Sequence, residues 1–96
     1  MFAITLDDKG TILLEGRLDA SQVEAASKVL DAVNETSKVD FTHLEYISSA
    51  GLGLLLKTQK RLSGAGKNLV LTGMNKMVRD VFRIARFDLI FAIEES

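Results

Sequence analysis

Large apolar residues alternate with smaller or polar ones over Phe2–Leu6 and again from Thr11 to Leu14, and Asp7-Asp8-Lys9-Gly10 separates the two stretches. This pattern predicts a β-hairpin with Gly10 at a turn position that favours positive φ. Val23, Ala26, Leu30 and Val33 then recur at helical spacing. Asp19 or Ser21 caps that helix, and with Ser21 as the cap, Glu24 completes a Ser-x-x-Glu capping box. Asn34 to Ser37 releases the chain into a short apolar strand holding Val39 and Phe41, which runs into a polar bend. The bend ends in Ser48-Ser49-Ala50-Gly51-Leu52-Gly53, the start of a leucine-rich helix predicted over 49–62, and Ser63-Gly64-Ala65-Gly66 reads as its C-cap and loop. Leu69-Val70-Leu71 is a continuous apolar run of the kind that parallel sheets bury on both faces. Met74, Met77, Val78, Val81, Phe82 and Ala85 predict a third amphipathic helix, and residues 87–93 a closing strand.

A hairpin followed by helix and strand in alternation predicts an α/β fold. The expected architecture is a small mixed sheet, parallel after the N-terminal hairpin and covered by about three helices. The 96 residues contain no repeat, linker or low-complexity tract, so residues 1–96 are expected to form a single domain.

Charge narrows the function. Twelve basic and thirteen acidic side chains leave a net charge of −1, which argues against a nucleic-acid partner. With no cysteine, disulfide and thiolate chemistry are excluded. The N-terminus has neither the basic region nor the apolar run of a signal peptide, and no stretch reaches membrane-spanning length, so the expectation is a cytoplasmic protein with no membrane partner. Asn34-Glu35-Thr36 matches a glycosylation acceptor only by coincidence in that setting.

Enzymatic readings fail on spacing. The Gly-x-Ser-x-Gly elbow of serine hydrolases has Ile47 where its first glycine belongs, and the lone His43 precedes the serines instead of following them. His43 has no His or Cys companion for a metal and is expected in a loop or at a rim. Gly64-Ala65-Gly66-Lys67 imitates a phosphate loop, but Arg61 replaces its first glycine, Asn68 replaces the closing Ser or Thr, and a helix precedes it. No catalytic residue, metal or cofactor is expected.

What remains is a binding surface at the second helix. A serine there can cap the helix, and the free N–H groups and dipole of a helix N-terminus favour an anion. At about 100° per residue from Ser49, Leu52, Leu55, Leu56, Gln59 and Leu62 are expected to face the sheet, with Leu54 outward between Lys57, Thr58 and Arg61. Leu54, Lys57 and Arg61 are therefore expected to form a partner interface with the cap, Leu54 being its apolar anchor. Gly53 lies inside the helix, where glycine costs roughly 1 kcal/mol relative to alanine. A close approach is expected there.

Ile47-Ser48-Ser49-Ala50-Gly51-Leu52-Gly53, after the Asp40-Phe41-Thr42 strand end, resembles the signature of the STAS domain of bacterial anti-sigma factor antagonists. Gly16-Arg17-Leu18-Asp19 resembles the Gly-x-Leu/Ile-Asp that follows the second strand in that family, and the likeness spans nearly the whole chain. The resemblance implies a serine switch. Unmodified, such a protein binds an anti-sigma factor with serine kinase activity and a histidine-kinase-like ATPase fold, which frees a sigma factor. Phosphorylated, it lets go until a PP2C-type phosphatase resets it.

Aligned on Gly51-Leu52-Gly53, the family's phosphoserine falls on Ser49. Ser48 stands where aspartate is frequent and is a second candidate acceptor. Asp19 would border the site or serve as an N-cap. The partner-binding set is thus Asp19, Ser48, Ser49, Gly51, Gly53, Leu54, Lys57 and Arg61, on a monomer or weak dimer. The alternative that the resemblance implies is a non-phosphorylated scaffold or sensor subunit, in a stress-signalling complex or beside a lipid or anion transporter. The family's frequent final C-terminal helix has no counterpart in these 96 residues.

Overall fold

A computed structural model describes residues 2–94. Phe2–Leu6 (β1) and Ile12–Leu18 (β2) pair antiparallel. Their turn is held by the Asp7 carboxylate, which accepts the Lys9 and Thr11 N–H groups at 2.8 and 2.9 Å, and Gly10 takes φ +80°. Ser37–Ile47 (β3), Leu69–Thr72 (β4) and Ala92–Glu94 (β5) extend the sheet in parallel, in the order β1-β2-β3-β4-β5. Val23–Leu30 (α1), Ser49–Gly64 (α2) and Lys76–Ile84 (α3) occupy the three crossovers. Each crossover steps the same way across the sheet, so right-handed connections place all three helices on one face.

Burial follows this one-sided cover. Along β2, Ile12, Leu14 and Leu18 are buried while Glu15 and Arg17 are exposed. In β4, Leu69 and Leu71 are buried but Val70 only half so, which corrects the expectation of burial on both faces. The covered face and the helices share one core that includes Leu14, Leu30, Val39, Phe41, Leu55, Leu62, Leu71 and Phe82. Each such side chain contributes about 1.5–3 kcal/mol of transfer free energy. On the open face the Arg17 guanidinium lies 4.3 Å over the Tyr46 ring, and Lys38 meets Glu94 at 3.3 Å.

The structure differs from the sequence expectation at both strand ends. β3 runs unbroken to Ile47, so residues 42–46 form no bend and His43 lies on a strand, in register with Glu15. The pairing shifts between Leu13 and Glu15 and between Gly16 and Arg17, where Gly16 takes φ +84°. These irregularities space the buried residues Phe41, Leu44 and Ile47 by three instead of two, which hides the strand from a period-two reading. The closing strand is also shorter than expected. Arg86 turns the chain at φ +61°, Phe87–Leu89 form a 3-10 turn, and only Ala92–Glu94 pair with β4. The four-residue spacing of Phe87 and Phe91 brings both rings onto Phe82, at centroid distances of 6.2 and 5.7 Å.

Caps account for the helix starts. Asp19 accepts the Ser21 N–H at 3.0 Å, while its own N–H donates to Gln22 Oε1 at 3.1 Å. This capping box opens the 3-10 turn Ala20–Gln22 that leads into α1, and it takes the place of the expected Ser21–Glu24 box. Ser48 caps α2 and Asn75 caps α3. α1 ends at Leu30, before Val33, which is buried just beyond it. There Arg61 Nη2 donates to the Leu30 and Val33 carbonyls at 2.9 and 2.8 Å and ties α2 to the end of α1.

The tightest approach of helix to sheet is at Gly51. A Cβ there would stand 2.9 Å from both Ile47 Cγ1 and Leu18 Cγ, and 3.0 Å from the Leu18 carbonyl oxygen. Gly51→Ala is therefore expected to lower stability by about 1–3 kcal/mol in urea unfolding, even though alanine is the better helix former. A stability gain would show that this contact yields freely.

Candidate functional site

The C-terminal ends of β2 and β3 lie side by side, with Leu18 in register with Ile47, and the Ser48 N–H donates to the Leu18 carbonyl at 2.9 Å. From these ends the chain enters the 3-10 turn that leads to α1 and, beside it, α2. Two helical starts thus share the edge beyond the carboxyl ends of parallel strands, where open α/β sheets bind their ligands.

The two serines divide the work at this edge. Ser48 Oγ accepts the Gly51 N–H at 3.2 Å and is the N-cap of α2. Ser49 is the first helical residue and is exposed, and its hydroxyl has no hydrogen-bond partner among the described residues. The dipole and first-turn N–H groups of α2 favour negative charge beside it. Asp19 stands one residue past the Leu18 link. Its Oδ1 accepts the Ser21 hydroxyl at 2.6 Å and the Ser21 N–H at 3.0 Å. The Ser21 hydroxyl above all holds the Asp19 carboxyl below its usual range; desolvation opposes it, and the Ser21 N–H and the charge of Arg17 add lesser lowering effects.

Other predicted site residues are placed differently. Leu54 is only 5% exposed, so it is not the outward anchor expected from the sequence. α1 packs on that flank of α2, covering Leu54 and Thr58, whose hydroxyl returns to the Leu54 carbonyl at 3.0 Å. Arg61 is exposed, but its guanidinium is committed to the end of α1. Lys57 is exposed. Within the chain itself the close approach is at Gly51, while a Cβ on Gly53 would meet nothing within 4 Å.

Leu56 is partly buried and packs against the core, as expected from the sequence. Seven residues after Ser49, it returns to within about 20° of it on the helix, so it borders the exposed side on which Ser49, Gly53, Lys57 and Lys60 lie.

Other chemistry lies elsewhere. Among the described residues no group of three or more His, Cys, Asp or Glu is placed to hold a metal ion. None of their helices is long and apolar enough to cross a membrane. A polar cleft of about 650 Å³ lined by Asp7, Lys9, Thr36, Lys38 and Thr72 is at the opposite edge of the sheet.

Comparison with known proteins gives a consistent result. A family model described as "Mlab, STAS domain" matches residues 3–92. BtrV of Bordetella bronchiseptica, which carries the name of an anti-sigma factor antagonist, is 37% identical over 81% of this chain and 68% of its own. The anti-sigma-B factor antagonist of Staphylococcus epidermidis is 28% identical over 97% of this chain and 90% of its own. Among solved structures, a Thermotoga maritima protein named as an anti-sigma factor antagonist superposes with a TM-score of 0.80 at 21% identity, covering all of this chain and 86% of its own. SpoIIAA of Bacillus in its phosphorylated form superposes with a TM-score of 0.72 at 21% identity, covering all of this chain and 91% of its own.

Two outcomes follow from the geometry. The Asp19 carboxyl is expected to titrate below the ordinary aspartate range by NMR, and Ser21→Ala to move its midpoint upward. Because the folded value is the lower one, the stabilisation it carries is complete above the unfolded value and is lost as pH falls through the folded one. An unmoved midpoint would remove Ser21 as the cause. Leu54→Asp is expected to cost about 3 kcal/mol or more in denaturant unfolding, since it buries a charge, whereas Lys57→Ala stays within about 0.5 kcal/mol of wild type.

Proposed function

The chain belongs to the STAS domain family of anti-sigma factor antagonists, and on that footing we propose that it is a docking module switched by phosphorylation of Ser49. Unmodified, it binds an anti-sigma factor with serine kinase activity and so frees a sigma factor. Modified, it releases that partner, and a PP2C-type phosphatase restores it.

The observation that carries this reading is the contrast between the two serines. Ser49 is exposed and unbonded at the first position of α2, while the Ser48 hydroxyl is already the cap. Ser49 Oγ attacks the γ-phosphorus of ATP on the partner. The new O–P bond replaces the bond to the departing ADP oxygen, and the hydroxyl proton passes to the kinase's base. Phosphate adds about −1.5 to −2 charge, which the helix start tolerates, so the host fold persists. The partner does not tolerate it, because a bulky dianion stands at the centre of a complementary surface. The docking face comprises Ser49, Gly53, Leu56, Lys57 and Lys60, with Asp19 at its border. Gly53 leaves the helix backbone bare four residues after Ser49, where a partner can come close.

A second reading, a non-phosphorylated scaffold or sensor subunit of a stress-signalling complex or of a lipid or anion transport system, is favoured by one observation. The matching family model is described by the name Mlab. One experiment separates the two. The protein is incubated with ATP and the serine kinase encoded beside it, and the added mass is located by peptide mapping. Phosphate is expected on Ser49 and none on Ser49→Ala, and Ser49→Asp should weaken capture of the kinase about tenfold or more with an unchanged circular dichroism spectrum. Phosphate on neither serine, with partner capture indifferent to Ser49→Asp, would defeat the switch in favour of the scaffold.

A further inference from the structure

The two edges of the sheet are guarded differently. β5 is three residues long and ends in Glu94, which meets Lys38, so short length and charge protect that edge. β1 lies at the other end of the strand order, and among the described residues nothing pairs with its outer side. Phe2–Leu6 has no charge, no proline and no bulge, the usual guards of an edge strand. The turn fixes the phase of its free backbone groups. Asp7 N–H donates to the Thr11 carbonyl at 3.0 Å, and one-to-one pairing continues from there, so Thr5 and Ala3 turn their backbone groups to β2 while Leu6, Ile4 and Phe2 turn theirs outward.

The helix layer is open on the same side. α1 packs on β1 and on α2. In α2, Leu54 and Thr58 stand one residue before and three after the fully buried Leu55, and α1 covers them. α1 runs the same way over the same face of the sheet with Ala26 fully buried, so Ala25 and Val29 are its counterparts of Leu54 and Thr58. No described helix covers that flank of α1, and Ala25 is exposed and Val29 half-buried. On the strand below, Leu6 is 52% exposed. In a chain of which 26% of the residues are charged, strand and helix flank together form an uncharged margin.

We propose that this margin joins two copies of the chain by antiparallel pairing of β1 with β1 about a two-fold axis at Ile4. Across the axis Ile4 meets Ile4 and Phe2 meets Leu6. All three turn their backbone groups outward, so one register uses the free donors and acceptors of both strands and sets large apolar side chains opposite one another. The same operation lays α1 alongside α1 of the other copy, with Ala25 and Val29 at the contact. Charge decides between occupants. A patch of net charge repels its own copy, and this one has none; without cations it offers nothing to nucleic acid or anionic lipid, and its unpaired backbone groups bar it from a bilayer. This face does not depend on the Ser49 reading.

The test is sedimentation of the full chain over a range of concentrations, combined with amide hydrogen exchange by NMR. A dimer is expected to form below about 1 mM, and the Ile4 and Leu6 amides should exchange more slowly as it forms. Leu6→Pro removes only an outward N–H, which an edge strand tolerates, and should weaken the dimer about tenfold or more, since one hydrogen bond is lost from each copy. Ala25→Glu, at an exposed helical position, sets like charge against like and should weaken it at least tenfold with the thermal midpoint little changed, which keeps the test decisive where the proline variant unfolds. A chain that stays monomeric to about 1 mM overturns the proposal and leaves the edge to a foreign strand. A dimer in which the Ile4 and Leu6 amides exchange as in the monomer, or one that Ala25→Glu leaves intact, overturns it equally.

Discussion

The first turn of α2 is pinned to the ends of β2 and β3 by a backbone hydrogen bond from Ser48 to Leu18 and by the missing side chain of Gly51, which lets helix backbone rest on Leu18 and Ile47. Most of what the site can do follows from that contact. It sets the rotation of α2, and the rotation decides which hydroxyl is spent on the cap and which faces outward. A helix raised by the width of a methyl group would tilt its start away from Asp19 and disturb the shared edge of the two helical entries.

Charge at this edge is arranged around that rotation. Ser21 and Arg17 favour the charged form of Asp19, which completes a capping box while standing beside the start of α2. The helix dipole supplies the opposite sign at short range. The edge therefore sets a negative group beside a helix start that favours anions.

Where residues follow a regular period, the sequence was readable. The hairpin, the three helices and the parallel order of the later strands stand as their patterns predict. Reading failed where tertiary contacts break the period. Irregular pairing with β2 shifts the buried positions of β3 beyond Phe41 to every third residue, which made Thr42 to Tyr46 look like a bend. Phe87 and Phe91 obey an aromatic cluster instead of strand alternation. Leu54 was misjudged because a helical wheel drawn for one covering layer knows nothing of α1 on its flank. The two serines could be located from sequence, but their division of labour needed coordinates, since either hydroxyl could have served as the cap.

Arg61 has a consequence beyond its two hydrogen bonds. By fastening the last turn of α2 to the Leu30 carbonyl at the end of α1 and the Val33 carbonyl just beyond it, it joins two rods whose opposite ends begin at the common edge. So braced, the pair resists splaying, and a disturbance at the tip has little leverage on the interior.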